Sequence, residues 1–308
     1  MYKIKQTPED FLVREISRIK PSEEGRYVYF ILKKRNYTTQ RAIKHIANAL
    51  HVPEKRFGFA GNKDKNAITE QLCSVNVNPS RIELNDIWIE VVGKGNGPIL
   101  LGDLEGNEFE IIVRNIEEKP KKINKIINCF DEQRFSKNNV EVGRAIIKKD
   151  FKKAVELILE GKDDFDLREH DERDPAGALQ KVPKTILKLF VHSYQSDIWN
   201  KTAEKFQDKE KLPLVGFGTE FEDKKVEKFV LDLLKKDGIT QRDFIIKQLP
   251  SVSSEGSERF VFADVKDLEI GKLEDDELNK GKKKCLVKFK LQKGAYATIV
   301  VRTIFQSS

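Results

Sequence analysis

Between Gly58 and Gln71 the chain sets one carboxylate, Asp64, between Lys63 and Lys65 on a turn bounded by Gly58 and Gly61. Glycines permit backbone angles that other residues resist. The run that follows, Gln71-Leu72-Cys73-Ser74-Val75-Asn76-Val77, alternates as a half-buried strand does. A carboxylate on a loop held by a strand is placed for nucleophilic or proton-transfer chemistry. Lys63, Lys65 or a basic partner such as Lys5 would favour its ionised form. The competing account is a solvated turn, because Asp and Asn hydrogen-bond nearby backbone and exposed Lys-Asp pairs are weak. Two nucleotide-binding readings fail. A phosphate-cradling loop needs Ser or Thr after its Gly-Lys, whereas Asp64 follows Lys63. In a base-reading Asn-Lys-x-Asp, Lys65 occupies the aspartate position.

A second group is Asn128-Cys129-Phe130-Asp131-Glu132-Gln133-Arg134-Phe135. It joins an aromatic ring to an amide and a guanidinium, the combination that holds an unstacked base. A helix terminus with a buried Phe is the plainer alternative.

These groups need elements to position them. Pro8-Glu9-Asp10 reads as a turn into a strand alternating about Phe11 and Val13, with a second strand from Tyr27 to Leu32. Thr38 or Thr39 caps a helix through Ile43, Ile46, Ala47 and Leu50 that ends at Pro53. Further strands are expected at Ile87 to Val92 and Glu108 to Arg114, and a helix opened by Pro120 through Ile123, Ile126, Ile127 and Phe130. Amphipathic helices then dominate, with Phe151 to Leu159, Lys184 to Phe206 and Lys225 to Leu234 the clearest. The chain closes on a hairpin: Val287, Phe289 and Leu291 alternate, Lys293-Gly294 turns, and Tyr296 to Val301 returns as a strand.

With 308 residues, 39% hydrophobic and 35% charged, the composition is that of a globular protein large enough for one domain or two. No apolar run approaches the ~20 residues that span a bilayer, and the first residues lack an apolar signal core, so a cytoplasmic location is expected. Three scattered cysteines and four unpaired histidines suggest neither a disulfide framework nor a metal site. The net charge of +7 is concentrated between residues 119 and 153, where eleven basic and four acidic residues leave 11 − 4 = +7. Residues 161 to 175 run the other way, with three basic against seven acidic. A local basic excess is the footprint of a surface that meets a phosphate backbone.

The run from Ala60 to Gln71 resembles the signature G-x-K-D-x-x-A-x-T-x-Q of the TruD family of pseudouridine synthases, with every fixed position present. The Asn128–Phe135 group resembles that family's N-x-F-x-x-Q-R-F motif, with Asp131 and Ser136 where glycines are usual. Gly106-Asn107-Glu108-Phe109, Pro8-Glu9-Asp10-Phe11, Leu212 to Gly218 and Leu291 to Thr298 resemble further family segments. The resemblance spans residues 8 to 302, sparsely between about 145 and 280.

It implies an α+β fold in which a mixed, mainly antiparallel sheet with flanking helices carries an inserted α/β domain. We place the catalytic pseudouridine synthase domain at 1–145 and 277–308 and the insertion at 146–276, with an RNA cleft between them. It implies isomerisation of uridine to pseudouridine in structured RNA, most typically position 13 of tRNA, without a cofactor or metal. Asp64 is then the nucleophile. Phe11, Phe130 and Tyr296 would receive the flipped base, Asn128 would hydrogen-bond it, and Lys5, Lys63 and Arg134 would lie at the substrate. Two other classes are distinguishable: a non-catalytic tRNA-binding or chaperone-like protein, indifferent to loss of Asp64, and a nucleosidase, which normally needs two acids and releases free uracil. Oligomeric state is not encoded in any motif.

Overall fold

A computed structural model describes residues 1–79, 82–131, 138–161 and 173–306. Its strands and helices in chain order are β1 (Phe11–Ser17), β2 (Tyr27–Arg35), α1 (Thr39–Ala49), β3 (Gly58–Phe59), β4 (Ile68–Val75), β5 (Ile87–Gly95), β6 (Leu104–Ile116) and β7 (Lys125–Ile127). Then come α2 (Asn139–Ile147), α3 (Phe151–Glu160), α4 (Pro175–Gln180), α5 (Lys184–Lys205), β8 (Lys211–Leu214) and α6 (Lys224–Lys236). The last are β9 (Ser257–Phe260), β10 (Phe262–Asp264), β11 (Lys266–Ile270), β12 (Glu274–Asp275), β13 (Lys283–Gln292) and α7 (Ala297–Gln306). The chain divides into two compact units, one of Met1–Ile126 with Ala263–Ser308 and one of Ile127–Phe262. No helix among the described residues is long and apolar enough to cross a membrane.

The first unit is built on a nine-stranded sheet ordered β11-β13-β6-β1-β4-β2-β5, with β12 beside β13 and β3 beside β4. Its one parallel pairing among the described strands is β1 with β4, where Val13 faces Thr69. Period-2 alternation gives the sheet two characters. One face carries Phe30, Leu32, Cys73 and Val75 under Ile43 and Ile46 of α1, and, on β1, β6 and β13, Phe11, Phe109 and Phe289 in ring contact. The opposite face is a ladder of ion pairs across five strands. It runs from Lys33 to Glu70 at 3.1 Å, to Arg14 at 3.3 Å, to Glu110, and to Lys288 at 3.0 Å.

Thr38 caps α1 by accepting a hydrogen bond from the Arg41 N–H. The expected strands up to β6 appear with shifted ends: β2 runs on to Arg35, β5 to Gly95 and β6 from Leu104 to Ile116, while β4 starts earlier, at Ile68, and stops at Val75.

Two expectations are corrected. The segment after Pro120 contains no helix: the Asn124 carbonyl accepts from Val265 N–H at 2.8 Å, the Asn128 N–H donates to Val261 at 2.7 Å, and β7 lies between. Apolar spacing over so short a run does not separate helix from strand, and neighbouring extended chain supplies the backbone partners. The C-terminal strand is also absent. Gly294 takes a φ of +83°, the Tyr296 carbonyl accepts from Ile299 and Val300 N–H, and α7 follows. Ala297, Val300, Val301 and Ile304 are buried at helical spacing. Their burial outweighs a helix penalty of ~0.5 kcal/mol for each β-branched residue.

The second unit is mainly helical. In α2, a Cβ at Gly143 would lie 2.0 Å from the Phe190 carbonyl, so glycine is what lets α2 and α5 meet backbone to backbone. The long α5 is buried on several sides, with Phe190, Tyr194 and Trp199 in the core. Its polar residues are satisfied: Ser193, Ser196 and Thr202 donate to carbonyls four residues back, and Gln195 donates to Val215 while accepting from Ser254.

Candidate active site

Asp64 lies on the turn between β3 and β4. Neither Gly58 nor Gly61 adopts a positive φ there, so the sequence-based reason for the glycines needs correction. Gly58 is required by close approach, since a Cβ would lie 2.4 Å from the Ile99 carbonyl, whereas Gly61 has open space around it.

Side chains pin the turn from beneath. Gln71 donates its amide to the Gly61 carbonyl at 3.0 Å and accepts from the Thr39 hydroxyl at 2.8 Å, which in turn accepts the Lys63 N–H at 2.9 Å. The fully buried Lys34 donates to the carbonyls of Asp64 at 2.9 Å and Tyr37 at 2.5 Å. Burial lowers the Lys34 ammonium to about 8; Asp64 opposes that shift and Lys63 adds to it.

The Asp64 carboxylate meets the Lys5 ammonium at 2.5 Å, with the lysine side chain 10% and the carboxylate 40% exposed. Lys5 has a φ of +59°, a conformation that costs an L-residue roughly 1 kcal/mol. It is held there because Lys3 bridges to the Arg114 backbone at 2.8 and 2.9 Å. The Lys5 ammonium also rests over the Phe11 ring, 3.8 Å from its centroid. Phe11 is buried and edge-on to Phe109, so it lies beneath Lys5. Lys63 turns the opposite way from Asp64. Its ammonium, with the side chain 7% exposed, reaches Glu15 at 2.7 Å and Asn107 at 2.8 Å on the sheet.

Tyr296 is half-buried at the N-terminal end of α7 rather than in a strand. Asn128 and Phe130 belong to the second unit. There Arg259 donates to the Asn128 carbonyl at 2.9 Å and to its Oδ1 at 2.7 Å, with its guanidinium 4.1 Å from the Phe130 ring centroid. Trp199 contacts Phe130 edge-on, and Asn200 hydrogen-bonds both Phe130 backbone groups. Arg134 lies outside the described residues.

Four participants were not singled out from sequence. Lys34 shares strand parity with Phe30 and Leu32, and Glu15 with Phe11 and Val13; a charge in phase with an apolar face is a signal of burial. Thr39 shows only as a possible cap, and Arg259 has no local signature. Among the described residues no group of His, Cys, Asp or Glu is arranged to hold a metal ion.

A family model described as tRNA pseudouridine synthase D matches residues 2–167 and 202–304. The chain is 30% identical to a probable tRNA pseudouridine synthase D of Methanosarcina mazei, over 97% of this chain and 92% of that one. It is 26% identical to the tRNA pseudouridine synthase D of Aquifex aeolicus, over 99% and 98%. The fold is similar to the crystal structure of the putative TruD from Methanosarcina mazei, with a TM-score of 0.74 and 27% identity over 99% and 94% of the two chains.

Proposed function

The chain belongs to the TruD family of tRNA pseudouridine synthases, and from that premise we propose that it isomerises uridine to pseudouridine in tRNA with Asp64 as the nucleophile. Position 13 is the target the family resemblance implies. The reaction breaks the N1–C1′ glycosidic bond, turns the detached uracil and rejoins it through C5, which gives up its proton while N1 gains one, with no net redox change and no hydrolysis.

The observation that carries this reading is the Lys5–Asp64 pair. An ammonium this close favours the carboxylate anion, the form in which an aspartate attacks. The same contact leaves the carboxylate partly exposed while the turn behind it is fixed at the Gly61 carbonyl, the Lys63 N–H and the Asp64 carbonyl. A fixed backbone with an accessible acid is the preorganisation that covalent or proton-transfer chemistry needs. The anion can attack the uracil ring, attack C1′ or take a proton from the sugar. Phe130 with Asn128 and Arg259, and separately Tyr296, are the groups we assign to base and RNA contact; a target base leaves its stack at a cost of a few kcal/mol.

The test is to incubate unmodified tRNA transcripts with the wild type and with Asp64→Asn and to map pseudouridine. We expect product only with the wild type and equal tRNA binding by both. Product from Asp64→Asn would overturn the nucleophile, and free uracil would point to a nucleosidase.

A further inference from the structure

Lys63 is next to Asp64 in sequence, yet the two side chains diverge. The carboxylate faces Lys5 and solvent, while the Lys63 ammonium runs down to the sheet and meets Glu15. Glu15 is the more unusual of that pair. Its side chain is 1% exposed, and its Oε2 meets the Lys63 ammonium at 2.7 Å. Its charge is therefore balanced by that ammonium. In register, Glu15 on β1 stands opposite Asn107 on β6, and the Asn107 amide oxygen accepts from the same ammonium at 2.8 Å. Towards β6 and β13 the neighbouring positions of that face are apolar, since Val13 faces Phe109 and Phe109 faces Phe289, whereas on the β4 side Val13 faces Thr69. The charges also surround one thiol: burial pushes Cys73 up, Glu15 adds to it, and Lys63 and Lys34 oppose.

A buried ion pair is a poor source of stability, since well-packed apolar residues of similar volume do as well or better. What it supplies is a fixed distance and direction. We infer that Glu15 is a positioning residue for the proposed reaction: through Lys63 and Asn107 it ties the residue preceding the nucleophile to the sheet, and it neutralises Lys63 so that Lys5 is the partner of Asp64. This rests on Asp64 being the reacting carboxylate. With the Lys63 N–H on Thr39 and the Asp64 carbonyl on Lys34, the turn is then fastened on both sides of the reacting side chain. Lys63 accordingly serves the turn and makes no phosphate contact.

The experiment measures single-turnover pseudouridine formation on an unmodified tRNA transcript, together with the Kd for that tRNA and its salt dependence. Glu15→Gln is expected to lose roughly 100-fold in rate, the scale of a misplacement of about 1 Å, with Kd within about threefold of wild type. Because Glu15→Gln strands a buried ammonium, the charge-free pair Glu15→Gln with Lys63→Met is made as well. It is expected to keep the wild-type melting temperature within a few degrees and the salt slope of Kd, and still to lose the rate. A double-variant rate near that of wild type would overturn the positioning role. So would a salt slope reduced by about one, which marks a lost phosphate contact. Wild-type protein without product would instead sink the assigned reaction, so the two failures are distinguishable.

Discussion

The Lys5 ammonium lies 3.8 Å above the centre of the Phe11 ring and 2.5 Å from the Asp64 carboxylate. The aromatic residue thus acts on the carboxylate through the lysine it carries. Lys5→Met is expected to reduce the single-turnover rate by at least ~100-fold. Phe11→Leu keeps the apolar burial and removes the cation–π contact, so it is expected to reduce the rate by only about threefold to tenfold, in line with ~1 kcal/mol. Equal losses from the two variants would show that Phe11 has a further role.

Thr39 and Gln71 act as one device beneath the turn. Thr39→Val removes the acceptor for the Lys63 N–H, and that amide should exchange with solvent roughly tenfold faster, equivalent to about 1.4 kcal/mol. Gln71→Leu alone should release the Gly61 carbonyl. The double variant should be less damaging than the sum, by ~0.5–3 kcal/mol, since the two residues share a network. Hydrogen exchange read at Lys63 checks all three.

Arg114 joins Asp10, Asp276 and Glu277 within the first unit. Burial would raise Asp276, but hydrogen bonds from Asn115 N–H, Asn279, Leu278 N–H and Arg114 outweigh it and bring the carboxyl down to about 2. A bond from Lys284, then Glu277's own N–H and Arg114, lower Glu277 to about 2. Both lie below the unfolded values of 3.8 and 4.5, so between these limits the unfolded chain binds more protons. Stability from these groups is complete above about pH 5 and is lost as pH falls towards 2. Arg114→Leu should destabilise the protein by about 3–5 kcal/mol at neutral pH. Its deficit relative to wild type should narrow progressively in acid, read by thermal melts from pH 7 to pH 3.

Arg259 makes two hydrogen bonds to Asn128 while stacking on Phe130. A lysine cannot reproduce that planar fork. Arg259→Lys should weaken tRNA binding and alter the surroundings of Trp199, whose ring lies 5.4 Å from the guanidinium carbon. With Trp88→Phe as background, leaving one of the two tryptophans, fluorescence reports the second effect and filter binding the first.

What sequence reveals of such a molecule follows from the range of the forces involved. Asp64 stands out because its neighbours form a compact pattern, and the strands around it because alternation is local. Lys34 and Glu15 show only as charges in phase with apolar residues; which partner satisfies each depends on strands far apart in sequence. Lys63 looks like a solvent-facing cation from its position in a Lys-Asp-Lys run, and only the register of β1 against β6 shows where its ammonium goes. The β-branched residues after Tyr296 favour a strand by intrinsic preference, and a buried helical face overrules them. Arg259 is separated from Asn128 by most of the second unit and had no pattern to betray it.

The pairing of β6 with β13 has a consequence during translation. β6 ends at Ile116 and its partner begins at Lys283, so the ribosome must make the whole second unit before that edge is covered. Until then a nascent chain presents a thirteen-residue strand with open backbone groups, an invitation to mispairing. The seat of Lys5 matures on the same schedule, because Lys3 is bridged to Arg114 and the Arg114 guanidinium waits for Asp276. A chain released early would carry its acid but lack the settled ammonium, and competence should arrive only with the last fifth of the polypeptide.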